Sequence, residues 1–389
     1  MLRRLTLPLA VLAVFAFAAP AAQAAKGMAL GIQDDSVLVD HYWGNSAQLY
    51  TRAKQLRTSW FRVIVVWSAT MSPTQANAKK KPKTVKYTFA KYDAMIASAR
   101  KKGFKVQLTL AGPAPAWANA NKKRSPTASV NPSASQYGKW AGLAAKHFRA
   151  KKVTRYSIWN EPNHFGYLKP TGKASVAKQA KMYRNLYKYG YKAVRKAYPK
   201  SQILFGELAP YYKKGQSYSP LQFLRSVLGV NAKYTKRSKK YPKFVADGFA
   251  QHPYDNYRAK RRKDDVTMNS LSHLTKALDK LAKLKALKKR TGGKLGVYLT
   301  EFGYFSRRAN KNTVAITPES KRAKAATTAY TTALKNSRVK EMVWYQMYEP
   351  PVGNNVTWLS YYLHLNNAPM QTFTSLVSWG NKYKSKIGK

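Results

Sequence analysis

Two glutamates stand at the ends of short apolar runs of the kind that form buried strands. The first run ends in Asn160-Glu161-Pro162, and the proline stops a strand because it has no N–H group for a sheet ladder. The second run leads to Glu301 and ends at Gly303. Acids are scarce, with 15 Asp and Glu against 71 Lys and Arg, so these glutamates stand apart from the surface composition. We expect both at the carboxyl ends of strands.

A pair of carboxyl groups in this setting can cleave a glycosidic bond with retention of configuration. One group protonates the leaving oxygen while the other, about 5 to 5.5 Å away, attacks the anomeric carbon. We assign Glu161 as the acid/base and Glu301 as the nucleophile. Glu161 should keep its proton beside a neighbouring negative charge, and Glu301 should be held ionised by hydrogen-bond donors.

Polar side chains near other strand ends could complete such a site. Arg62 lies inside an apolar strand and needs an anionic partner, either Glu301 or some other acid. Tyr254 follows the sixth predicted strand and is expected to donate to Glu301 as well. His252 lies two residues earlier and hence on the same side, although a histidine there could equally be a satisfied core residue. Asn160 could hydrogen-bond the 2-hydroxyl of a sugar.

Aromatic side chains could stack on pyranose rings, whose C–H faces suit aromatic surfaces. We select Trp117, Tyr304 and Trp344 as candidate platforms, although the two tryptophans could equally pack in the core. Glu207, at the end of the fifth predicted strand, could contact a sugar hydroxyl.

The elements that must position these residues are eight predicted strands alternating with helices. The predicted strands cover 28–32, 61–67, 105–110, 153–159, 203–205, 244–250, 295–299 and 342–347. The clearest amphipathic helix runs from Leu271 to Leu287. This alternation favours an α/β fold, a (β/α)8 TIM barrel, as a single domain over residues 25–389. A doubly wound open sheet is the alternative, but no glycine-rich phosphate loop follows the first predicted strand.

The first 24 residues have the pattern of a secretory signal peptide. Two arginines precede an uncharged run from Leu5 to Ala19, and Ala22-Gln23-Ala24 fits the small-residue cleavage site. A membrane anchor is the alternative, but a spanning helix needs about 20 apolar residues and this run is shorter. We therefore expect cleavage after residue 24 and secretion.

The composition excludes several kinds of chemistry. The chain has no cysteine, which excludes disulfides and thiolate chemistry, and its six histidines show no i, i+4 pairing. We expect neither a metal nor an organic cofactor.

The formal net charge of +56 indicates that the protein meets an anionic partner or works in anionic surroundings. The lysines recur in helices and turns throughout the chain and form no single stripe, which favours a solvated basic exterior over a specific nucleic-acid site. We expect a monomer that meets an anionic polymer or cell-wall surface and takes a carbohydrate as substrate.

Five short segments together resemble the clan A glycoside hydrolases, the (β/α)8 group with catalytic glutamates after strands four and seven. The segments are Phe61-Arg62-Val63, Trp159-Asn160-Glu161-Pro162-Asn163, His252-Pro253-Tyr254, Thr300-Glu301-Phe302-Gly303 and, more weakly, Val343-Trp344-Tyr345. They are similar to the families usually numbered five and thirty-nine. The resemblance implies that Glu161 is the acid/base, that Arg62 and Tyr254 hydrogen-bond the nucleophile Glu301, and that Trp344 is a platform at the reacting sugar.

Two other interpretations remain open at this point. One is a barrel that binds carbohydrate without catalysis and is kept at the cell surface by its charge; the intact glutamate pair speaks against it. The other is a basic nucleic-acid-binding protein, which would show affinity that falls steeply with salt. The export signal and the dispersed lysines speak against this second alternative.

Overall fold

The computed structural model describes residues 27–255, 262–306, 318–351 and 362–388. In these residues eight parallel strands close into a barrel, because the eighth strand pairs with both the seventh and the first. The barrel strands are β1 (Met28–Gln33), β2 (Trp60–Val66), β3 (Lys105–Ala111), β4 (Arg155–Ile158), β5 (Gln202–Leu208), β6 (Gly248–Gln251), β7 (Val297–Phe302) and β8 (Val339–Tyr345). The predicted (β/α)8 fold is confirmed. The predicted signal peptide lies outside the described residues.

A long helix follows each barrel strand. These helices are α1 (Ser46–Gln55), α2 (Ala90–Lys101), α3 (Ala134–Ala150), α4 (Val176–Ala197), α5 (Pro220–Leu228), α6 (Leu271–Lys283), α7 (Glu319–Lys335) and α8 (Gln371–Lys382). Shorter helical segments cover Asp35–Leu38, Trp67–Thr70, Pro73–Asn77, Ala116–Ala118, Met268–Ser270 and Lys384–Lys386. No helix in the described ranges is both long and apolar enough to cross a bilayer.

Side-chain caps fix where several helices begin. Asn45, Ser133 and Ser175 precede α1, α3 and α4, and each side chain accepts a hydrogen bond from a backbone N–H in the first turn. At the other end of α5, Gly229 adopts a left-handed conformation with φ of +65°, which glycine reaches without a steric cost. These local signals set the spacing between successive strands.

The inside of the barrel is layered. At the amino-terminal end Arg155 donates to Glu341 at 2.7 Å and to Gln202 at 2.6 Å, so the buried charges are paired. Above them lies a small apolar layer with Leu204 and Ala250. The carboxyl-terminal end is polar again and holds the candidate site, while the outward faces of the strands pack against the helices in the main core.

Two predicted boundaries around the sixth strand need correction. The predicted strand 244–250 is two strands: Phe244–Ala246 pairs with Leu287–Lys289 outside the barrel, and Gly248–Gln251 is β6. For the same reason the helix predicted to reach Leu287 ends at Lys283. The other short strands are Ser129–Val130, Leu168–Lys169 and Ile387–Gly388.

Candidate active site

The carboxyl ends of the strands surround a cavity of about 130 Å³. Four of the predicted site residues line this cavity: Asn160 and Glu161 just after β4, Glu301 in β7 and Tyr254 just after β6. The fold thus brings together residues that lie far apart in the sequence. Parallel barrels place their active sites at this end, because the loops that follow the strands meet there.

The two glutamates lie close together. One oxygen of Glu161, one oxygen of Glu301 and a ring nitrogen of His252 are all within 4.8 Å of one another. Carboxyl groups of enzymes that retain configuration stand about 5 to 5.5 Å apart, whereas inverting enzymes keep about 6.5 to 9.5 Å for a water molecule. The close approach of the two carboxyl groups agrees with the shorter separation, at which one carboxylate attacks the sugar carbon directly.

Both oxygens of Glu301 accept hydrogen bonds. Arg62 Nη1 donates to Oε2 at 2.9 Å, and the Tyr254 hydroxyl donates to Oε1 at 2.9 Å. Burial raises the pKa of Tyr254 well above its usual value, so the phenol stays neutral and keeps its proton to donate. The two donors stabilise negative charge on Glu301 and fix the orientation of its carboxylate.

Arg62 is the hub of the site and is completely buried. Its Nη2 donates to Asn160 Oδ1 at 2.8 Å and to Glu207 Oε2 at 2.9 Å, and its Nε donates to Thr109 Oγ1 at 3.1 Å. Its Nη1 also donates to the side chain of Gln33. A guanidinium can hold several partners in one plane, so Arg62, with Glu301 included, sets the relative positions of residues from five other strands or strand ends.

His252 bridges two glutamates. Its Nδ1 lies 2.8 Å from Glu161 Oε1 and its Nε2 lies 2.7 Å from Glu207 Oε2. Burial lowers the pKa of His252, but the charge on Glu301 and the hydrogen bonds with the other two glutamates outweigh burial and raise the pKa to about 9. At neutral pH both ring nitrogens therefore carry protons and donate. His252 does not line the cavity; it supports Glu161 from behind.

Glu207 lies beneath the site and not in it. It is fully buried, and its Oε2 accepts from Arg62, His252 and Thr300 at 2.9, 2.7 and 2.9 Å. Burial favours the neutral acid, yet Arg62 and His252 outweigh burial and lower the pKa of Glu207 to about 2. The expected contact of Glu207 with a sugar hydroxyl does not fit this position, because its charged oxygen is already committed to two cations.

The structure brings none of the three predicted stacking residues to the cavity. Trp344 is fully buried and stacks on Tyr362 with ring centroids 4.3 Å apart, because it lies on the outward face of β8. Trp117 packs edge-on against Trp67 at 5.8 Å. Tyr304 is half-buried and packs edge-on against Phe302 at 5.2 Å.

The aromatic residue of β8 that does line the cavity is Tyr345. Side chains alternate along a strand, and Glu341 lies inside the barrel, so position 345 shares its inward face while Trp344 does not. Once one residue of β8 is known to point into the barrel, the alternation of side chains predicts which other residues of β8 do so. Tyr345 therefore occupies the position in the cavity that was expected for Trp344.

Sequence reasoning also missed Asp35, which lines the cavity after β1. Its Oδ2 accepts from the Gln33 side chain at 2.6 Å and its Oδ1 accepts from the Ile64 backbone at 3.0 Å. Burial raises the pKa of Asp35 to about 6. The signal was a run of polar residues directly after the first strand, which is the position where barrel enzymes place functional groups.

One metal-like grouping exists among the described residues. Ligand atoms of Glu161, His252 and Glu301 could reach a common cation. However, His252 is protonated at neutral pH and donates to Glu161, and Arg62 donates to Glu301 at 2.9 Å. These carboxylates already have cationic partners that a metal would have to displace, so a reaction without metal or cofactor stays our prediction.

A closed eight-stranded parallel barrel with two neighbouring carboxylates after β4 and within β7 is the architecture of a clan A glycoside hydrolase. The sequence profile of Cellulase (glycosyl hydrolase family 5) matches residues 23–349, so the chain belongs to glycosyl hydrolase family 5. This confirms the clan predicted from the five motifs, and it places the chain in a family of glycosidases.

Solved structures share the fold at low identity. A family 39 glycoside hydrolase from Bacteroides cellulosilyticus is 16% identical with a TM-score of 0.59, over 91% of this chain and 63% of its own. A monomeric β-xylosidase from Caulobacter crescentus is 15% identical with a TM-score of 0.57, over 91% and 69%. A fungal β-1,4-galactanase is 15% identical with a TM-score of 0.53, over 90% and 98%. The chain thus spans less than two thirds of the family 39 structure. No curated protein matches the present chain.

Proposed function

We propose that the protein is a secreted glycosidase that cleaves β-linked O-glycosidic bonds of a polysaccharide or oligosaccharide by double displacement. The observation that carries the proposal is the spacing of Glu161 and Glu301, whose oxygens approach within 4.8 Å. The hydrogen bonds on both oxygens of Glu301 support its role as nucleophile.

In the first step Glu161 gives its proton to the glycosidic oxygen while a carboxylate oxygen of Glu301 attacks the anomeric carbon. The bond from that carbon to the leaving oxygen breaks, the leaving sugar departs as an alcohol, and an ester joins Glu301 to the remaining sugar. Asn160, held by Arg62 at 2.8 Å, lies beside Glu161 and could bind the 2-hydroxyl of that sugar.

In the second step a water molecule enters next to Glu161, which has become a carboxylate and removes one proton. The resulting hydroxide attacks the anomeric carbon and the ester to Glu301 breaks. Two inversions give net retention, so a β-linked substrate yields the β-anomer first. The β-linkage is supported by the names of the xylosidase and galactanase that share the fold.

The remaining parts of the proposal concern the setting of the enzyme. The N-terminal pattern over residues 1–24 supports secretion, and the net charge of +56 supports contact between the basic exterior and an anionic polymer or cell-wall surface. We expect a monomer with no specific nucleic-acid site.

The test is replacement of the nucleophile. Glu301→Ala should abolish hydrolysis of an aryl β-glycoside, and azide should restore slow turnover with an inverted α-glycosyl azide as product, because the small anion fills the space of the missing carboxylate. Glu349→Ala is the matched control, since Glu349 pairs with His364 and does not line the cavity. Full activity of Glu301→Ala would end the assignment, as would an α-anomer released first by the wild type.

A further inference from the structure

The cavity has a basic wall on the side of the acid/base. Lys213 and His164 both line the cavity together with Glu161. His164 lies in the loop after β4, directly downstream of Glu161, and its backbone N–H donates to the Glu161 carbonyl at 2.9 Å. Lys213 lies in the loop after β5, the strand next to β4 in the barrel.

The opposite side of the cavity is acidic. Asp35 follows β1, and β1 lies four strands away from β5 in either direction around the closed barrel. Lys213 and Asp35 therefore stand on opposite walls, with the two reacting glutamates between them in the strand order. The cavity is electrically asymmetric from one wall to the other.

The loop that carries Lys213 is preformed. The backbone groups of Lys213 and Ser217 exchange hydrogen bonds at 2.9 and 3.1 Å, which closes a tight turn. Asn163 ties this loop to the loop after β4, because its Nδ2 donates to the carbonyls of Ala209 at 3.0 Å and Tyr218 at 2.8 Å. A ligand that binds Lys213 need not pay for ordering the backbone.

His164 is a neutral hydrogen-bond donor in this wall. The Gly166 backbone N–H donates to its Nδ1 at 2.9 Å, so the ring proton lies on Nε2. Burial lowers the pKa of His164, and the neighbouring charge of Lys213 lowers it further against the opposing effect of Glu161. An ammonium beside an N–H donor is suited to an anion.

We propose that Lys213 and His164 bind an anionic substituent, a carboxylate or a sulfate, on the sugar that leaves. The inference rests on the proposed function, because Glu161 protonates the leaving oxygen and the wall next to Glu161 therefore contacts the leaving group. Asp35, on the far wall, disfavours an anion on the sugar that stays. The preferred substrate is thus an acidic glycan, which agrees with the formal net charge of +56 of the chain.

The experiment compares matched leaving groups on one sugar. A panel of aryl β-glycosides first identifies the sugar that the full chain hydrolyses fastest. That sugar is then joined to 4-hydroxybenzoate or its neutral amide, and to 4-hydroxybenzenesulfonate or its neutral sulfonamide. The two pairs distinguish a carboxylate from a sulfate-like anion while keeping the phenol similar. The variants are Lys213→Gln, Lys213→Arg, which keeps the charge, and Lys214→Gln, an exposed neighbour that undergoes the same charge change.

We expect the wild type to prefer at least one anionic leaving group over its neutral partner by about tenfold in kcat/KM, the size of one charge-assisted hydrogen bond. Lys213→Gln should remove this preference by lowering kcat/KM for the anionic substrate more than for its neutral partner, while Lys213→Arg and Lys214→Gln should retain the preference. Equal turnover of anionic and neutral partners by the wild type would overturn the inference but leave the glycosidase intact. Loss of the preference in Lys214→Gln to the same extent would also overturn it. Hydrolysis of no aryl glycoside would instead overturn the proposed function.

Discussion

Five ionisable side chains at the carboxyl end of the barrel form one electrostatic unit: Glu161, Glu207 and Glu301 with Arg62 and His252. In the proposed mechanism Glu161 starts with the proton that it donates, and two carboxylates then balance two cations. In the proposed glycosyl-enzyme the Glu301 charge has gone into an ester and Glu161 has lost its proton, so the balance is unchanged. His252 Nδ1 lies 2.8 Å from Glu161 and 3.9 Å from Glu301, so the positive charge of His252 can stabilise a negative charge on either glutamate. Glu207 supplies the constant negative charge of the unit.

Tyr254→Phe tests the contribution of one donor to the nucleophile. The change removes the 2.9 Å hydrogen bond to Glu301 Oε1 and keeps the ring that stacks on Phe302. We expect kcat to fall by about 100-fold while the melting temperature changes little, because the donor stabilises charge at the reacting group. Tyr304→Phe is the control, since Tyr304 does not line the cavity. An unchanged kcat in Tyr254→Phe would show that Arg62 alone orients Glu301.

His252 predicts a pH dependence of stability. Its folded-state pKa of about 9 lies above the unfolded value of 6.5, so its stabilisation is fully present below pH 6.5 and is lost as the pH rises through 9. The predicted loss across that window is of the order of 3 kcal/mol. Urea unfolding at pH 6 and pH 9.5 measures it. The His252→Gln protein should lack this part of the pH dependence, and an equal slope in both proteins would assign it to other groups.

Sequence reasoning found three charged residues of the site because a charged residue is conspicuous in or at the end of an apolar strand. Arg62, Glu161 and Glu301 were identified in this way, and the structure gathers all three within hydrogen-bonded reach of one another or of His252. The sequence did not indicate how deep a residue lies along the barrel axis. Glu207 lies at the end of its strand, as Glu161 and Glu301 do, yet it lies one layer deeper and faces two cations.

At the level of elements, the strands were predictable because a barrel strand is covered on both faces and reads as a continuous apolar run. The failure around the sixth strand has a tertiary cause. Asp247 interrupts the run, since its Oδ2 accepts from the Ile203 backbone at 2.9 Å and from Arg195 at 2.5 Å. These partners lie more than 40 residues away, and the local signal of the break was the Asp247-Gly248 pair, a dipeptide typical of turns.

The two aromatics of β8 offer a test of strand parity. Asp34, after β1, accepts backbone hydrogen bonds from Met347 and Tyr348 at 3.0 Å each, which fixes the end of β8. Tyr345→Ala should lower kcat/KM by at least about tenfold with a small change in stability, as expected for loss of a stacking surface. Trp344→Ala should instead lower the free energy of unfolding by about 3 to 5 kcal/mol, because it leaves a core cavity.

Steady-state kinetics and urea unfolding of both variants decide this prediction. Trp344 is fully buried against Tyr362, so its loss should affect KM only slightly in the protein that remains folded. The opposite pattern, with Trp344→Ala catalytically impaired and stable, would restore the platform predicted from the sequence. Unchanged kinetics in Tyr345→Ala would remove Tyr345 from the site.

For the whole molecule, the few acidic residues are distributed unevenly between interior and surface. Six of the 15 acids of the chain lie inside the barrel or at its carboxyl-terminal end. Their hydrogen-bond donors include backbone N–H groups and the side chains of Arg62, Arg155 and His252. These acids are Asp34, Asp35, Glu161, Glu207, Glu301 and Glu341. Most acids nearer the surface pair with a basic side chain, as Asp93 does with His147 at 2.8 Å and Asp279 with Arg338 at 2.7 Å. The lysines that remain face solvent together and repel one another.

This repulsion predicts that sodium chloride stabilises the protein. Raising the salt from about 10 mM to about 150 mM shortens the screening length from about 30 Å to about 8 Å, so it weakens repulsion among exposed lysines more than the buried pairs of the site. The unfolded chain is expanded and suffers less repulsion, so the free energy of unfolding should increase with salt. Urea titrations at fixed pH measure this without adding ions with the denaturant. A free energy that falls over the same range would mean that surface ion pairs such as Asp40 with Lys91 outweigh the excess of lysine, and the basic exterior would then need no anionic partner to relieve it.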